Sequence, residues 1–136
     1  MAGSALVDAG FLIALLSRRD RHHEWAAVQS SHVAPPWRTC EAVLSEAFHL
    51  LGARGQPSLA TLLRRKAVVP IFDLAGNLDR ILALMQKYAD VPMSLADACL
   101  VRMSEILADP VILTTDADFR IYRRHGRQIV SCLTPY

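Results

Sequence analysis

The sequence carries little of what would assign it at a glance. Its 136 residues include only two lysines, Lys66 and Lys87, and the formal net charge is +2. A domain that holds nucleic acid by charge alone would be strongly basic, and this one is not. The mild balance neither demands nor forbids a polyanionic partner. Cysteine is just as sparse. Cys40, Cys99 and Cys132 are odd in number, far apart and without a C-x-x-C pair. That pattern excludes a disulfide framework and a zinc site of ordinary spacing. Three reduced, partly buried thiols are expected, as in a cytoplasmic protein. No apolar run approaches the roughly 18 residues of a membrane span. Phe11 to Leu16 is short, Asp8 interrupts the run before it, and no basic segment precedes it. Neither a signal peptide nor a membrane association is expected. Repeats, low-complexity tracts and linkers are also missing, so residues 1–136 are expected to form one soluble domain.

What remains is globular. The chain is 52% hydrophobic and 21% charged, enough apolar material for a real core. Short β-like runs alternate with helical ones. Ala5-Leu6-Val7 reads as a strand ending at Asp8. Gly10 permits a turn into a helix over Phe11–Leu16, and His22–Gln29 reads as the next helix, with Trp25 and Val28 inward. His32–Ala34 is a weak strand ahead of Pro35 and Pro36. Thr39 is suited to cap a helix through Leu51, and Pro57 to open another over Ser58–Lys66. Ala67–Leu74 reads as a strand, placed at an edge by Pro70. Asn77 caps a helix to Tyr88 whose apolar positions Leu78, Ile81, Leu82, Met85 and Tyr88 keep three–four spacing. Ser94 begins a helix to about Leu107, Val111–Thr114 is a buried strand, and Gln128–Leu133 is the last strand. Strands separated by helices imply an α/β fold. The expected form has three layers, α/β/α, around a parallel sheet of four or five strands. Ligands of such sheets collect beyond the carboxyl ends of the strands.

Acidic residues fall at those ends. Asp8 and Asp116 each follow an apolar strand directly, although an aspartate after a strand is also a common turn residue. Asp97 lies one turn into its helix on the face of Leu100 and Val101. Its spacing from Ser94 is that of a capping box, which is compatible with a place near a metal. Glu46 sits mid-helix between Val43 and Leu50, where a carboxylate must be paired, metal-bound or able to reach water. Glu41 opens the same helix and competes for that role; helical spacing does not decide between them. Four gathered carboxylates repel one another unless a cation neutralises them. Hard ions such as Mg²⁺ and Mn²⁺ prefer such oxygens and can drive phosphodiester hydrolysis.

At these residues the sequence resembles the PIN-domain nucleases, in particular the VapC-type toxins of bacterial toxin–antitoxin pairs. The resemblance runs through Leu6-Val7-Asp8-Ala9-Gly10-Phe11-Leu12, Glu41-Ala42-Val43-Leu44-Ser45-Glu46-Ala47, Ser94-Leu95-Ala96-Asp97-Ala98 and Leu113-Thr114-Thr115-Asp116-Ala117-Asp118-Phe119. The four motifs occur in the family's order along essentially the whole chain. The resemblance implies a PIN-like fold and a Mg²⁺- or Mn²⁺-dependent endoribonuclease. It implies Asp8, Glu46, Asp97 and Asp116 as catalytic acids, with Asp8, Asp97 and Asp116 on the metal. Asp118 matches an auxiliary acidic position and Thr114 a supporting hydroxyl. Ala9 departs from the Ser or Thr of many members without removing a ligand. An RNA substrate, a protein antitoxin and a homodimer are the implied partners.

Basic runs at Arg18–Arg21, Arg64–Lys66 and Arg120–Arg127 are most often solvated faces. Arg120, Arg123 and Arg124 follow the acidic segment directly and are the best candidates for contact with RNA phosphates. His22 and His23 point different ways on a helix and suit no common ion. A dehalogenase-type phosphatase would need a second aspartate where Gly10 stands. A catalytically idle PIN-like module that binds RNA or protein is the rival of another class.

Overall fold

The computed structural model describes residues 3–136. In chain order its elements are β1 (Ser4–Val7), α1 (Ala9–Leu16), α2 (His23–His32), β2 (Trp37–Thr39), α3 (Glu41–Arg64), β3 (Val68–Pro70), α4 (Leu78–Lys87), α5 (Leu95–Ile106), β4 (Pro110–Leu113), β5 (Arg123–Arg124), β6 (Gln128–Ile129) and β7 (Cys132–Leu133). Five strands form one sheet in the order β3-β2-β1-β4-β7, and every pairing in it is parallel. Helices cover the sheet in an α/β/α arrangement. With crossovers of the usual right-handed sense, α1, α2 and α3 lie on one face and α4 and α5 on the other.

Ala5, Leu6 and Val7 are all buried, as a central parallel strand covered on both faces requires. The chain leaves β1 toward β2 and later returns to its other side as β4. The strand order therefore reverses between β1 and β4, which opens a crevice at their carboxyl ends. Register fixes what meets there. Ser4 to Val7 pair with Pro110 to Leu113 in step, so Asp8 and Thr114 are the next residues on neighbouring strands and share a face.

Several expected boundaries move. Val33 caps α2 instead of lying in a strand. The second strand comes after the prolines, whose nitrogens cannot donate to a ladder. Thr39 ends β2, and its hydroxyl donates to the Val7 carbonyl at 2.8 Å; Cys40 takes the N-cap position of α3. The strand expected over Ala67–Leu74 shrinks to the edge strand β3, ending at Pro70. Val28 is exposed, and Ala26 is the buried residue of α2. On α4 the buried stripe is Ile81, Leu84 and Tyr88, while Leu78 and Leu82 face solvent. The last expected strand divides. Gln128–Ile129 pairs antiparallel with Arg123–Arg124, and Cys132–Leu133 joins the main sheet.

The two helices expected between Thr39 and Lys66 run together as α3 but break at Gly52, with φ 65° and ψ −174°. Only glycine holds that conformation without strain. Pro57 then falls in the first turns of the second segment, where a missing N–H is tolerated. A Cβ at Gly52 would meet nothing, so a substitution there acts through the backbone alone. Among the described residues no helix is long and apolar enough to cross a membrane. Gly52→Ala is expected to lower the unfolding free energy by about 1–3 kcal/mol in urea titrations, with no change in oligomeric state.

Candidate active site

Four acids from four segments line one cleft of about 300 Å³, together with Gly10, Ser94 and Thr115. They are Asp8 after β1, Glu46 on α3, Asp97 on α5 and Asp116 after β4. No arginine or lysine is among the lining residues.

Asp8 is 6% exposed. Its backbone N–H continues the ladder to the Leu113 carbonyl at 3.0 Å. Its Oδ1 accepts from the Ala9 N–H at 2.7 Å and so caps α1, and its Oδ2 accepts from the Thr114 hydroxyl at 2.8 Å. The buried Thr114 Oγ1 in turn accepts from the Asp116 N–H at 3.0 Å. One hydroxyl thus couples the two strand ends. Gly10 serves the same junction, since a Cβ there would collide with Thr115 Oγ1.

Asp97 closes the capping box expected from its spacing. Its N–H donates to Ser94 Oγ at 3.0 Å, and its Oδ2 accepts from the Ser94 N–H at 3.1 Å. Oδ2 also accepts from the Tyr122 hydroxyl at 3.2 Å. Tyr122 is fully buried and packs edge-to-face on Tyr88 and Phe119. Burial and the Asp97 carboxylate hold its phenol well above its usual range, so it remains a donor. Asp116 turns its Oδ1 to the Asp118 N–H at 2.9 Å. Glu46 is exposed and has no hydrogen-bond partner among the described residues.

The charges disturb one another. Burial pushes Asp8 up to about 7; the Thr114 hydrogen bond opposes the shift, and Asp97 and Glu46 reinforce it. Burial also raises Asp97, against its Ser94 bonds and with the help of Asp116. Partial desolvation, Asp97 and Asp116 raise Glu46. Asp118 is raised slightly by desolvation and by Asp116, but it does not line the cleft.

The acids share the cleft without converging on a point. Among the described residues no three His, Cys, Asp or Glu side chains are grouped to hold a metal ion. The four acids thus line an open cleft, in which Asp8 and Asp97 are held by their own donors. The donor chemistry still fits a hard dication, because four carboxylates face one space with no internal cation opposing them.

Glu41 lines a different cavity, with Cys40 and Cys99, so of the two glutamates only Glu46 borders the acidic cleft. Arg120, Arg123 and Arg124 do not line it either. Arg120 donates to the Tyr136 carbonyl. Arg123 donates to the carbonyls of Arg120, Ile121 and Tyr122 at 2.7–3.2 Å. Arg124 donates to the Ser104 carbonyl at 2.5 and 3.1 Å. Arg18, Arg19 and Arg54 border a separate groove between α1 and α3. His23 turns a ring nitrogen to the Ala14 carbonyl at 2.8 Å. Trp37 is core, donating to the Val33 carbonyl at 2.9 Å. Sequence reasoning missed Tyr122 and Thr115. The one signal for Tyr122 was its type, since a buried tyrosine must place its hydroxyl on an acceptor.

A family model described as PIN domain matches residues 5–124. The chain belongs to the PIN domain family. No curated protein matches it. PIN domains are generally nucleases acting on nucleic acid, typically with divalent metals. The acidic cleft of this PIN domain lies at the strand-order reversal, where an open α/β sheet presents ligand sites.

Two outcomes are expected. Thr114→Val strands the Asp8 carboxylate and the Asp116 N–H and lowers stability by about 1–3 kcal/mol in urea titrations. The second concerns pH. Asp8, at about 7 when folded against about 4 unfolded, contributes stability in full below about pH 4, and loses it as pH rises through 7. Glu105 is the opposite case. Burial alone would raise it, but Arg80, the His125 N–H and Arg102 hold it down to about 2. Its contribution is present above its unfolded value of about 4 and lost as pH falls toward 2. Thermal melts of chelator-treated protein should therefore peak near about pH 4–5, and Asp8→Asn should flatten the alkaline limb.

Proposed function

We propose that this PIN domain is a Mg²⁺- or Mn²⁺-dependent endoribonuclease of the VapC toxin type. The observation that carries the reading is the meeting of Asp8, Glu46, Asp97 and Asp116 around one cleft with no basic residue among them. Asp8, Asp97 and Asp116 would hold the ion, and Glu46 would complete the set. When bound, such an ion supplies Lewis-acid stabilisation of charge developing on a scissile phosphodiester.

The chain's own residues prepare this. Thr114 fixes the Asp8 carboxylate through Oδ2. Ser94 and Tyr122 both donate to Asp97 Oδ2, and among the described residues none donates to Oδ1. Asp116 is likewise held through Oδ1, which leaves Oδ2 to the cleft. Thr114 and Tyr122 are thus positioning residues, and Asp118 is a neighbouring charge. Glu46 is exposed and borders the cleft, where its carboxylate would complete the set around a bound cation. Arg120, Arg123 and Arg124 remain candidates for RNA phosphate contact, by way of guanidinium N–H groups not spent on carbonyls. By resemblance, the proposal extends to one domain over residues 1–136, a cytoplasmic location, a homodimer and a protein antitoxin.

One observation favours a second reading. Among the described residues no three His, Cys, Asp or Glu side chains are grouped for an ion, which suits a catalytically idle module that binds RNA or protein. One experiment separates the two. The purified chain is incubated with total RNA in Mg²⁺, in Mn²⁺ and in EDTA. The nuclease reading expects cleavage with metal and none with chelator. Tyr122→Phe should weaken Mn²⁺ binding by about 10–100-fold, the usual effect of losing a supporting partner. Asp8→Asn and Asp97→Asn should cost more than that. If those two variants cut as fast as wild type, the cleft is not the active site. RNA binding without cleavage in any metal supports the idle module.

A further inference from the structure

Two of the three cysteines are brought together by the fold, although 59 positions separate them in the chain. Cys40 precedes α3 and Cys99 lies on α5. Both are buried, at 2% and 1% exposure. They line the same small cavity, of about 120 Å³, with Glu41, Ala42, Phe72 and Leu74. The nearness of the two thiols favours ionisation of Cys40 and opposes that of Cys99. Neither takes part in the chemistry of the acidic cleft. Cys132 stands apart, half-buried, with its thiol on the Val130 carbonyl at 3.2 Å.

We propose that Cys40 and Cys99 form a peroxide-sensitive dithiol that closes to an intramolecular disulfide. The cavity has room for several water-sized molecules, and hydrogen peroxide is only slightly larger than water. Cys40 occupies the N-cap position of α3, where the helix dipole favours negative charge on its sulfur. In the first step the Cys40 thiolate attacks one peroxide oxygen. An S–O bond forms, the O–O bond breaks and hydroxide leaves, taking up a proton to become water. In the second step the Cys99 sulfur attacks the Cys40 sulfur. An S–S bond forms, the S–O bond breaks, and the departing oxygen takes the Cys99 proton and leaves as water. Two thiols lose two electrons and two protons, and one peroxide becomes two waters. The link would join the first turn of the helix carrying Glu46 to the helix carrying Asp97. A small-molecule thiol would reverse it by exchange.

The test uses the full chain and needs no nuclease activity. Reduced protein is exposed to graded hydrogen peroxide under native conditions. Remaining thiols are then alkylated after denaturation, and intact and peptide masses are read. The proposal expects Cys40 and Cys99 to become unreactive together. The monomer should lose the mass of two hydrogens, a Cys40–Cys99 peptide should appear, and Cys132 should stay alkylated. Dithiothreitol should restore the original masses. Cys40→Ser and Cys99→Ser should each abolish the linked peptide, and wild type alone decides the matter if either variant fails to fold. Cys40 and Cys99 remaining alkylatable while Cys132 oxidises would overturn the proposal. So would linkage only between chains, or a Cys40 sulfinate without a cross-link.

Discussion

One hydroxyl ties the cleft together. Thr114 Oγ1 gives its proton to the Asp8 carboxylate and accepts the Asp116 N–H, so the ends of the two central strands cannot separate without breaking its bond to Asp8. The register of β1 against β4 makes this arrangement unavoidable, because the pairing of Val7 with Leu113 places the next two residues side by side. The carboxylate is thereby ordered in a buried place where its charge is least welcome. Neighbouring acids raise the penalty further. A site of this kind carries unfavourable electrostatics that a bound cation would relieve.

Stability that offsets this cost is visible in α5. Glu105 has a side chain only 1% exposed, yet it takes Arg80 at 2.6 Å and Arg102 at 3.2 Å. It also accepts the His125 N–H at 2.6 Å. This knot joins α4, α5 and the turn of the β5–β6 hairpin, on the same helix that holds Asp97 at its other end. A satisfied carboxylate and a frustrated one thus share a single rigid element. The first anchors the helix while the second is presented to the cleft.

Much of this could be read from the residues. The strand-then-Asp pattern at Asp8 and Asp116, and the Ser94–Asp97 spacing, placed three of the four acids correctly on their elements. The alternation of strands and helices led to the parallel sheet. What escaped was governed by tertiary contact. Thr39 has the chemistry of a cap, but its hydroxyl is claimed by the Val7 carbonyl. Gln128–Leu133 has a continuous strand composition, but its first half is captured by Arg123 and Arg124. Glu41 and Glu46 look equivalent along the sequence, and only the placement of α3 against α5 assigns one to each cavity. Tyr122 gave no local sign of its acceptor, which lies 25 positions earlier.

The rims of the main sheet carry a consequence for how this protein meets others. One rim is β3, three residues long and ended by Pro70; the other is β7, with two residues. Neither offers enough unpaired backbone to recruit a foreign strand, and the proline removes a donor where extension would begin. Association by strand addition at these two rims is disfavoured. Contact made there with another chain would rest on helical or loop surface, where side-chain identity and not backbone pairing determines who is admitted.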